Sequence, residues 1–433
     1  MTPTRYEHLG EALGTDFFSV QEQFTEEQWG RFIATRRFVD EEVLPVIGDY
    51  WERADLPWPL MRRLPGLGVV GEDIKGYGCA EMSPMACGLV SMELHRGDGS
   101  LGTFLGVHAG LAMETIAMCG SEEQKARWLP AMATMEKLGA FALTEPDHGS
   151  DSIALETTAR RDGADWVLDG TKRWIGNGTI ADLVVVWARN TEDGEVNGFM
   201  VETPAEGYEA TKIEGKLSLR SVWQADIALH GVRVPEENRL TEAHSFKDTG
   251  RVLVTTRSTC AWAALGHATA AYDTALTYAR QRLQFGKTLS SFQIVQERLA
   301  RMLAELTGMQ LYCMQIGHLA EVGRLSPTVA GLAKMNNTRK ARTIIADARD
   351  LLGGNGILME NHVMRHMADI EGIHTFEGTE TMQALIVGRD IPASPPSPEV
   401  TDRLQGPHFA TRRCERPARR PPARRAASSS TSS

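Results

Sequence analysis

From about residue 246 to residue 354 the chain keeps a helical period almost without interruption. The segments STCAWAALGHATAAYDTALTYARQR, SFQIVQERLARMLAELTGMQLYCMQIGHLAEVG and PTVAGLAKMNNTRKARTIIADARDLLGG all carry apolar stripes at that spacing. Long amphipathic helices of this kind pack together as a bundle. LLGGNG (351–356) gives the last of them a glycine stop.

Between about 141 and 240 the texture is different. WVLDGTKRWIGNG reads as two β-rich runs around an Asp169-Gly170 turn, a strong short-range hairpin signal, and DLVVVWARN, GFMVET and ADIALHGVRV continue in strand style. Four or more short strands with close turns predict an antiparallel β-domain. Residues 1–140 read as helical again. Thr25 stands three residues before Gln28 as a capping box, and Ser121 caps a helix to Met135 with Glu122 and Glu123 at its positive end. The expected fold class is α+β, mostly α: a helical domain at 1–140, a β-domain at 141–240, a C-terminal four-helix bundle at 241–391 and a tail at 392–433.

Composition narrows the function classes. The 433 residues are 42% hydrophobic, enough for a real core. No run of about 18 apolar residues occurs, so no membrane-spanning helix is expected. The N-terminus lacks the basic-then-apolar order of a signal peptide. Cys79, Cys87, Cys119, Cys260, Cys313 and Cys414 lie far apart with no metal-ligand spacing, so no metal site and a reduced, cytoplasmic compartment are expected. The net charge of −10 is uneven: residues 392–433 hold eight arginines against Glu399, Asp402 and Glu415, which leaves −15 on the rest. An acidic body argues against nucleic-acid binding, and the Pro-, Arg- and Ser-rich tail is expected to be disordered.

GLGVVG (66–71) matches GxGxxG by the letter, but Pro65 precedes it and EDIKGYG follows, so a glycine-rich connection is expected rather than a dinucleotide loop. FALTEPDHGSD (141–151) falls where helical and β parts meet, a favoured place for ligands. Trp174, on a strand, reads by itself as core packing. RQRLQFGKTLSSFQ (280–293) offers arginines for a pyrophosphate and Phe285 for stacking, or simply a loop between helices. Glu377, in HTFEGTETM, reads alone as a surface charge.

Taken in order, FALTEPDHGSD, KRWIGNG, RLQFGKTLSSFQ, DLLGGNG and FEGT resemble the acyl-CoA dehydrogenase family over roughly residues 15–391. LGVHAGLAMETIAMCGSEEQKARWLP and HVMRHMADIEGIHTFEGT are most similar to its glutaryl-CoA dehydrogenase and plant short-chain acyl-CoA oxidase branch. The resemblance implies FAD as cofactor. Phe141, Leu143, Thr144 and Ser150 are implied along the flavin, with Trp174 and Ile175 against its other side and Gly149 and Gly176 also at the cofactor. The implied ADP-binding set is Arg282, Gln284, Phe285, Gln293, Asp350, Leu351, Leu352, Gly353 and Gly354, with Thr379 also at the cofactor. Because that half of the cofactor is shared across a subunit interface in the family, a homotetramer, or at least a dimer, is implied.

Glu377 matches the family's general base, and Gly102, Thr103, Ser150, Arg257 and Gly378 match substrate positions. For Arg257 the alternative is a surface ion pair on a helix. Free Glu has a pKa of about 4.3, so removing the α-proton of an acyl-CoA thioester requires a raised base and a polarised carbonyl. Family members polarise it with the backbone N–H of the base residue and a flavin ribityl hydroxyl, and the β-hydrogen leaves as hydride to the flavin. Relatives with the base near 256 are not matched, since Thr256 stands there. Gly102 replaces the arginine that pairs with a distal carboxylate, so a short straight or branched monocarboxylic acyl-CoA is expected over glutaryl-CoA. Phe376 replaces the usual Tyr before the base. Electrons are expected to pass to an electron-transfer flavoprotein. Alternatives are an oxidase using O2, a glutaryl-CoA dehydrogenase, a flavin monooxygenase, which retained Glu377 disfavours, and a DNA-binding relative using the basic tail.

Overall fold

The computed structural model describes residues 16 and 18–393; the expected tail, from 394 on, lies outside the described residues. Helix α1 (Glu26–Phe38) begins with the anticipated capping box, Gln28 N donating to Thr25 Oγ1 at 3.2 Å and Thr25 N to Gln28 Oε1 at 2.9 Å. Short helices α2 (Ile47–Arg53) and α3 (Trp58–Met61) follow, then α4 (Pro84–Gly97). GLGVVG is a 3-10 turn and a bend with neither a preceding strand nor a following helix, as its flanking residues imply.

Helix α5 runs unbroken over Gly99–Cys119; its most apolar 18-residue window has mean hydropathy 1.3 and is two-thirds buried. By length and composition alone it is sufficient to cross a bilayer, although the sequence holds no run of about 18 apolar residues. Glycines and polar residues scattered along it hide the run from a count of consecutive apolar residues. Leu101, Phe104, Ala109, Met113 and Ile116 are fully buried in the protein core instead. Helix α6 (Glu122–Ala133) carries the second capping box, at Ser121.

The middle of the chain forms a seven-stranded sheet in the order β1-β4-β2-β3-β7-β6, with β5 also on β4. The strands are β1 (Gly139–Ala142), β2 (Thr158–Asp162), β3 (Asp165–Gly176), β4 (Leu183–Asn190), β5 (Val196–Glu202), β6 (Tyr208–Lys212) and β7 (Gln224–Pro235). The sheet is mixed, not antiparallel as expected: β1 and β2 both run parallel to β4. Both reach β4 through long intervening segments rather than tight turns, which is what parallel pairing requires. β4 is buried on both faces, Leu183, Val185 and Trp187 joining the helical core and Val184, Val186 and Ala188 the sheet core.

The Asp169-Gly170 hairpin is also corrected. β3 passes straight through both residues, with a register shift against β7 between Leu168 and Gly170. Gly170 takes φ +151, and a Cβ there would meet Thr157 Cα at 2.7 Å. Asp169 Oδ1 accepts from Gly231 N at 2.8 Å across the sheet. The dipeptide makes a bulge, a second use of the same turn chemistry. The turn lies upstream, at Gly163 with φ +66, between β2 and β3.

The C-terminal part has long helices α7 (Phe246–Gln281), α8 (Gln293–Glu321) and α9 (Pro327–Leu351), then α10 (Val363–Thr375) and α11 (Glu380–Ala393). A small hairpin, β8 (Leu283–Gln284) with β9 (Lys287–Thr288), separates α7 from α8. The bundle core is alanine-rich on α7, where Ala261, Ala264, Ala268, Ala271 and Ala275 have no exposed surface. Small residues let helix backbones approach closely, and α4 comes close to α7 at Gly266, where a Cβ would lie 2.1 Å from Met92 O and 2.9 Å from Arg96 N. Gly266→Ala should therefore push the two helices apart and cost about 3 kcal/mol. The check is a lower denaturation midpoint; an unchanged midpoint would refute the close-packing account.

Candidate active site

Glu377 sits in the short loop between α10 and α11, whose first turn is capped by Thr379 Oγ1 accepting from Met382 N at 3.3 Å. Glu377 and Gly378 take φ +55 and +85, the left-handed region. For a glutamate this costs about 1 kcal/mol, so neighbours must hold it. Lys334 Nζ on α9 donates to Phe376 O at 2.6 Å, Gly378 O at 2.5 Å and His374 O at 3.4 Å. Gln383 Nε2 donates to Glu377 O and Gly378 O, both at 3.0 Å. Thr256 Oγ1 on α7 then donates to Glu377 Oε2 at 2.7 Å. Burial raises the Glu377 carboxyl above its ordinary pKa, while the Thr256 bond and the Lys334 and Arg257 cations hold it back. Arg257 is half-buried and its Nε is without a hydrogen-bond partner, which does not fit a surface ion pair.

The segment from Phe141 in β1 onward divides by burial. Phe141 and Leu143 are buried, Phe141 meeting Trp187 edge-on at 6.2 Å, whereas Thr144 is half-buried and Gly149 and Ser150 are exposed. Glu145, a residue that sequence reasoning passed over, anchors this loop. Its carboxylate accepts from Lys172 Nζ (2.9 Å), Glu156 N (2.6 Å), Thr157 N (2.9 Å) and Thr157 Oγ1 (2.6 Å). Burial opposes its charge, but the Lys172 ammonium and these donors hold its pKa down at about 2.

Trp174, φ +64, lies at a second shift in β3 and is 53% exposed, so it is not a core residue. Arg173 stacks over its ring at 5.2 Å. Ile175 and Gly176 behave oppositely: Ile175 is 2% exposed in the sheet core, and a Cβ on Gly176 would meet Val107 at 2.8 Å. Ile175 therefore offers a ligand its backbone, not its side chain.

A hollow of about 340 Å³ lies between the β8–β9 hairpin and the end of α9. Of the implied ADP-binding residues it gathers Arg282, Gln284, Asp350, Leu351, Leu352, Gly353 and Gly354, and it adds Tyr278, Leu289 and Asn355. Phe285 and Gln293 are not in its wall; Phe285 is 93% exposed at the hairpin tip. The backbone at Gly353 and Gly354 is open, with nothing within 4 Å of a built Cβ.

Gly102 is buried on α5, and a Cβ there would fall 2.3 to 2.7 Å from the His95 ring. His95 Nδ1 lies 2.8 Å from Ser91 O, and burial lowers its pKa to about 4, so this ring is neutral. Next to Gly102, Thr103 Oγ1 is buried without a partner.

Comparison with known proteins follows the same division of the chain. Residues 25–136, 140–232 and 246–391 match the family models for the N-terminal, middle and C-terminal domains of acyl-CoA dehydrogenase. The short-chain specific acyl-CoA dehydrogenase of Bos taurus is 33% identical over 81% of this chain and 87% of its own. A glutaryl-CoA dehydrogenase from Mycobacterium smegmatis shares 39% identity at TM-score 0.85, covering 88% of this chain and 98% of that one. A second structure of such an enzyme from that organism, in complex with FADH2, gives 37% and 0.86 with the same coverage. Butyryl-CoA dehydrogenase from Megasphaera elsdenii gives 28% and 0.82, over 85% and 98%.

The Glu145–Lys172 pair yields a stability test. Lys172→Met leaves a buried carboxylate without its cation and should cost about 3 kcal/mol, with Glu145→Gln in the same chain recovering part of it. Because the Glu145 pKa is depressed from 4.5 to about 2, its contribution is full above about pH 4.5 and fades as pH falls toward 2. Denaturation midpoints across that range check both statements; a Lys172→Met midpoint equal to wild type would refute them.

Proposed function

The chain belongs to the acyl-CoA dehydrogenase family, and from that premise we propose that Glu377 is the base that removes the α-proton of a short monocarboxylic acyl-CoA. The observation that carries this is the carboxylate itself: half-buried, raised in pKa, and fixed against Thr256 by a left-handed turn tied at three consecutive carbonyls. Burial brings its basicity closer to that of a thioester α-carbon, and fixed geometry removes the entropy of aligning it.

The residues present fit FAD. The hollow at Arg282 and Asp350–Asn355 joins a guanidinium, suited to a pyrophosphate, to open glycine backbone. Trp174 offers an exposed aromatic face, and its neighbour Arg173 N donates to Thr144 O at 2.8 Å. When bound, FAD supplies the two-electron acceptor for the β-hydride. The protein's part is proton removal and alignment. Glu377 takes the α-proton, the electron pair left behind becomes the Cα–Cβ double bond, and the β-hydrogen departs with its own pair. Arg257 supplies a cation at the substrate end of the site.

The acyl end supports a neutral substrate. His95 fills the space that a side chain at position 102 would need, and it is uncharged. A distal carboxylate buried against this wall would lack a counter-ion there. We also propose a homotetramer, supported by the apolar residues exposed around the hairpin, where Leu283, Phe285 and Ile294 are 62%, 93% and 71% exposed. An electron-transfer flavoprotein is the proposed acceptor.

Anaerobic absorbance titration tests the reading. Butyryl- or isobutyryl-CoA should bleach the flavin band and glutaryl-CoA should not; slow recovery in air fits a dehydrogenase and fast recovery an oxidase. Glu377→Gln should keep FAD yet abolish reduction, and substantial residual reduction would remove the base assignment. In the wild type, the rate of reduction should fall as pH drops through a pKa above the ordinary 4.5 of Glu, since only the carboxylate accepts the proton. An acid limb at or below 4.5 would contradict that.

A further inference from the structure

The peptide that joins Phe376 to Glu377 is held from behind by a positive charge. A trans peptide is planar, so its C=O and N–H point in opposite directions. The C=O accepts from Lys334 Nζ at 2.6 Å. The N–H, that of Glu377, donates to no acceptor among the described residues, whereas the preceding N–H, of Phe376, donates to Gly372 O at 3.0 Å. One peptide therefore has a buried cation at its oxygen and a free donor at its nitrogen, beside the carboxylate of the same residue.

Lys334 is fully buried, and the three N–H bonds of an ammonium match the three carbonyls it meets, those of His374, Phe376 and Gly378. Holding the loop does not by itself require a charge. Gln383, a neutral donor, already ties Glu377 O and Gly378 O. The contacts peculiar to Lys334 among these two are the Phe376 carbonyl, at 2.6 Å, and the more distant His374 carbonyl, at 3.4 Å. A charged donor at a carbonyl polarises the whole amide, and cooperative strengthening of the next hydrogen bond is about 10–30%.

We propose that Lys334 is a positioning residue of the reaction: its ammonium fixes and polarises the Phe376–Glu377 peptide, so that the Glu377 N–H becomes a strengthened donor to the thioester carbonyl. The inference rests on Glu377 being the base, because that places the substrate's α-carbon, and hence its carbonyl, beside this peptide. Thr256, Arg257 and Cys260 from α7 face the same carboxylate, and they act on it directly rather than through the peptide.

The test reads the carbonyl. FAD-loaded Glu377→Gln enzyme, which binds thioester without consuming it, is mixed with butyryl-CoA carrying a 13C thioester carbonyl. Isotope-edited infrared spectra then give the carbonyl stretch. In Glu377→Gln alone the band should lie well below its position for free butyryl-CoA. Adding Lys334→Met should return most of that shift, whereas adding Lys334→Arg or Gln383→Leu should leave it largely in place. With Glu377 intact, Lys334→Met should slow flavin reduction at saturating substrate by about tenfold to a hundredfold, less than the 10²–10³ lost with an outright donor deletion. A band unmoved by Lys334→Met overturns the proposal and leaves Lys334 a structural clamp, whatever the rate does. If Lys334→Met does not retain FAD, Lys334→Gln decides in its place: a lost shift supports the proposal and a retained shift overturns it. Failure of the base assignment is a separate result, visible as flavin bleaching by Glu377→Gln.

Discussion

The position of the site depends on one buried ion pair that ties the helix leading into Glu377 to the N-terminal part of the chain. Arg365 on α10 and Asp98 at the start of α5 meet at 2.5 Å with no exposed surface on either side chain. Arg365 also donates to Gly97 O at 2.8 Å, and Asp98 caps α5 by accepting from Leu101 N at 3.0 Å. One turn further, Asp369 accepts from Leu219 N (2.6 Å), in the loop before β7, and from Trp51 Nε1 (3.0 Å) on α2. Helix α10 is thus bound to the N-terminal helices, to the β-region and, through the His366–His267 contact at 2.7 Å, to α7. Glu377 lies two residues past its end. A buried pair adds little net stability over apolar packing, but losing one partner is costly, so such a pair fixes one arrangement against alternatives.

That arrangement has an electrostatic consequence. His95, His267 and His366 lie in a row between α4, α7 and α10, with ring centroids 5.7 and 4.9 Å apart. Burial lowers the pKa of all three, and for His267 and His366 the Arg365 cation adds to the effect. A row of neutral imidazoles beside Gly102 gives that wall bulk and polarity without charge. Arg365, the cation that acts on His267 and His366, is itself committed to Asp98. The proposed preference for neutral acyl groups then rests on how the helices are tied as well as on Gly102.

Much of the fold is legible in the sequence because it depends on local periodicity and capping. Thr25 and Ser121 announce their helices through side chains three residues away, and the bundle helices through stripes many turns long. Local signals failed where a nonlocal partner chose between two uses of the same residues. Asp169-Gly170 became a bulge because Gly231 and Thr157 stood across the sheet, and β4 gained parallel neighbours that no strand pattern specifies. Glu377 was legible only through the resemblance, since a lone glutamate near a glycine carries no signal. Lys334 was missed, although VAGLAKMNN carries a hint: a lysine among Ala330, Ala333, Asn337 and Ala341, all on the buried face of α9. A charge on an apolar face asks which buried acceptors it satisfies, and the answer lay some forty residues away.

The Glu377 turn also shows why the site combines strain with strong restraint. A base on a relaxed surface loop would keep the ordinary acidity of glutamate and would leave its backbone donor to water. Moving it inward raises its proton affinity but strips water from the loop carbonyls, and the left-handed turn adds conformational cost. Lys334 and Gln383 answer both by supplying donors to the carbonyls on either side of the strained residue. The Glu377 N–H has no acceptor among the described residues. On the proposed reading, structural need and chemical need converge on one peptide: the bonds that make the turn tolerable also fix the donor proposed to meet the thioester oxygen.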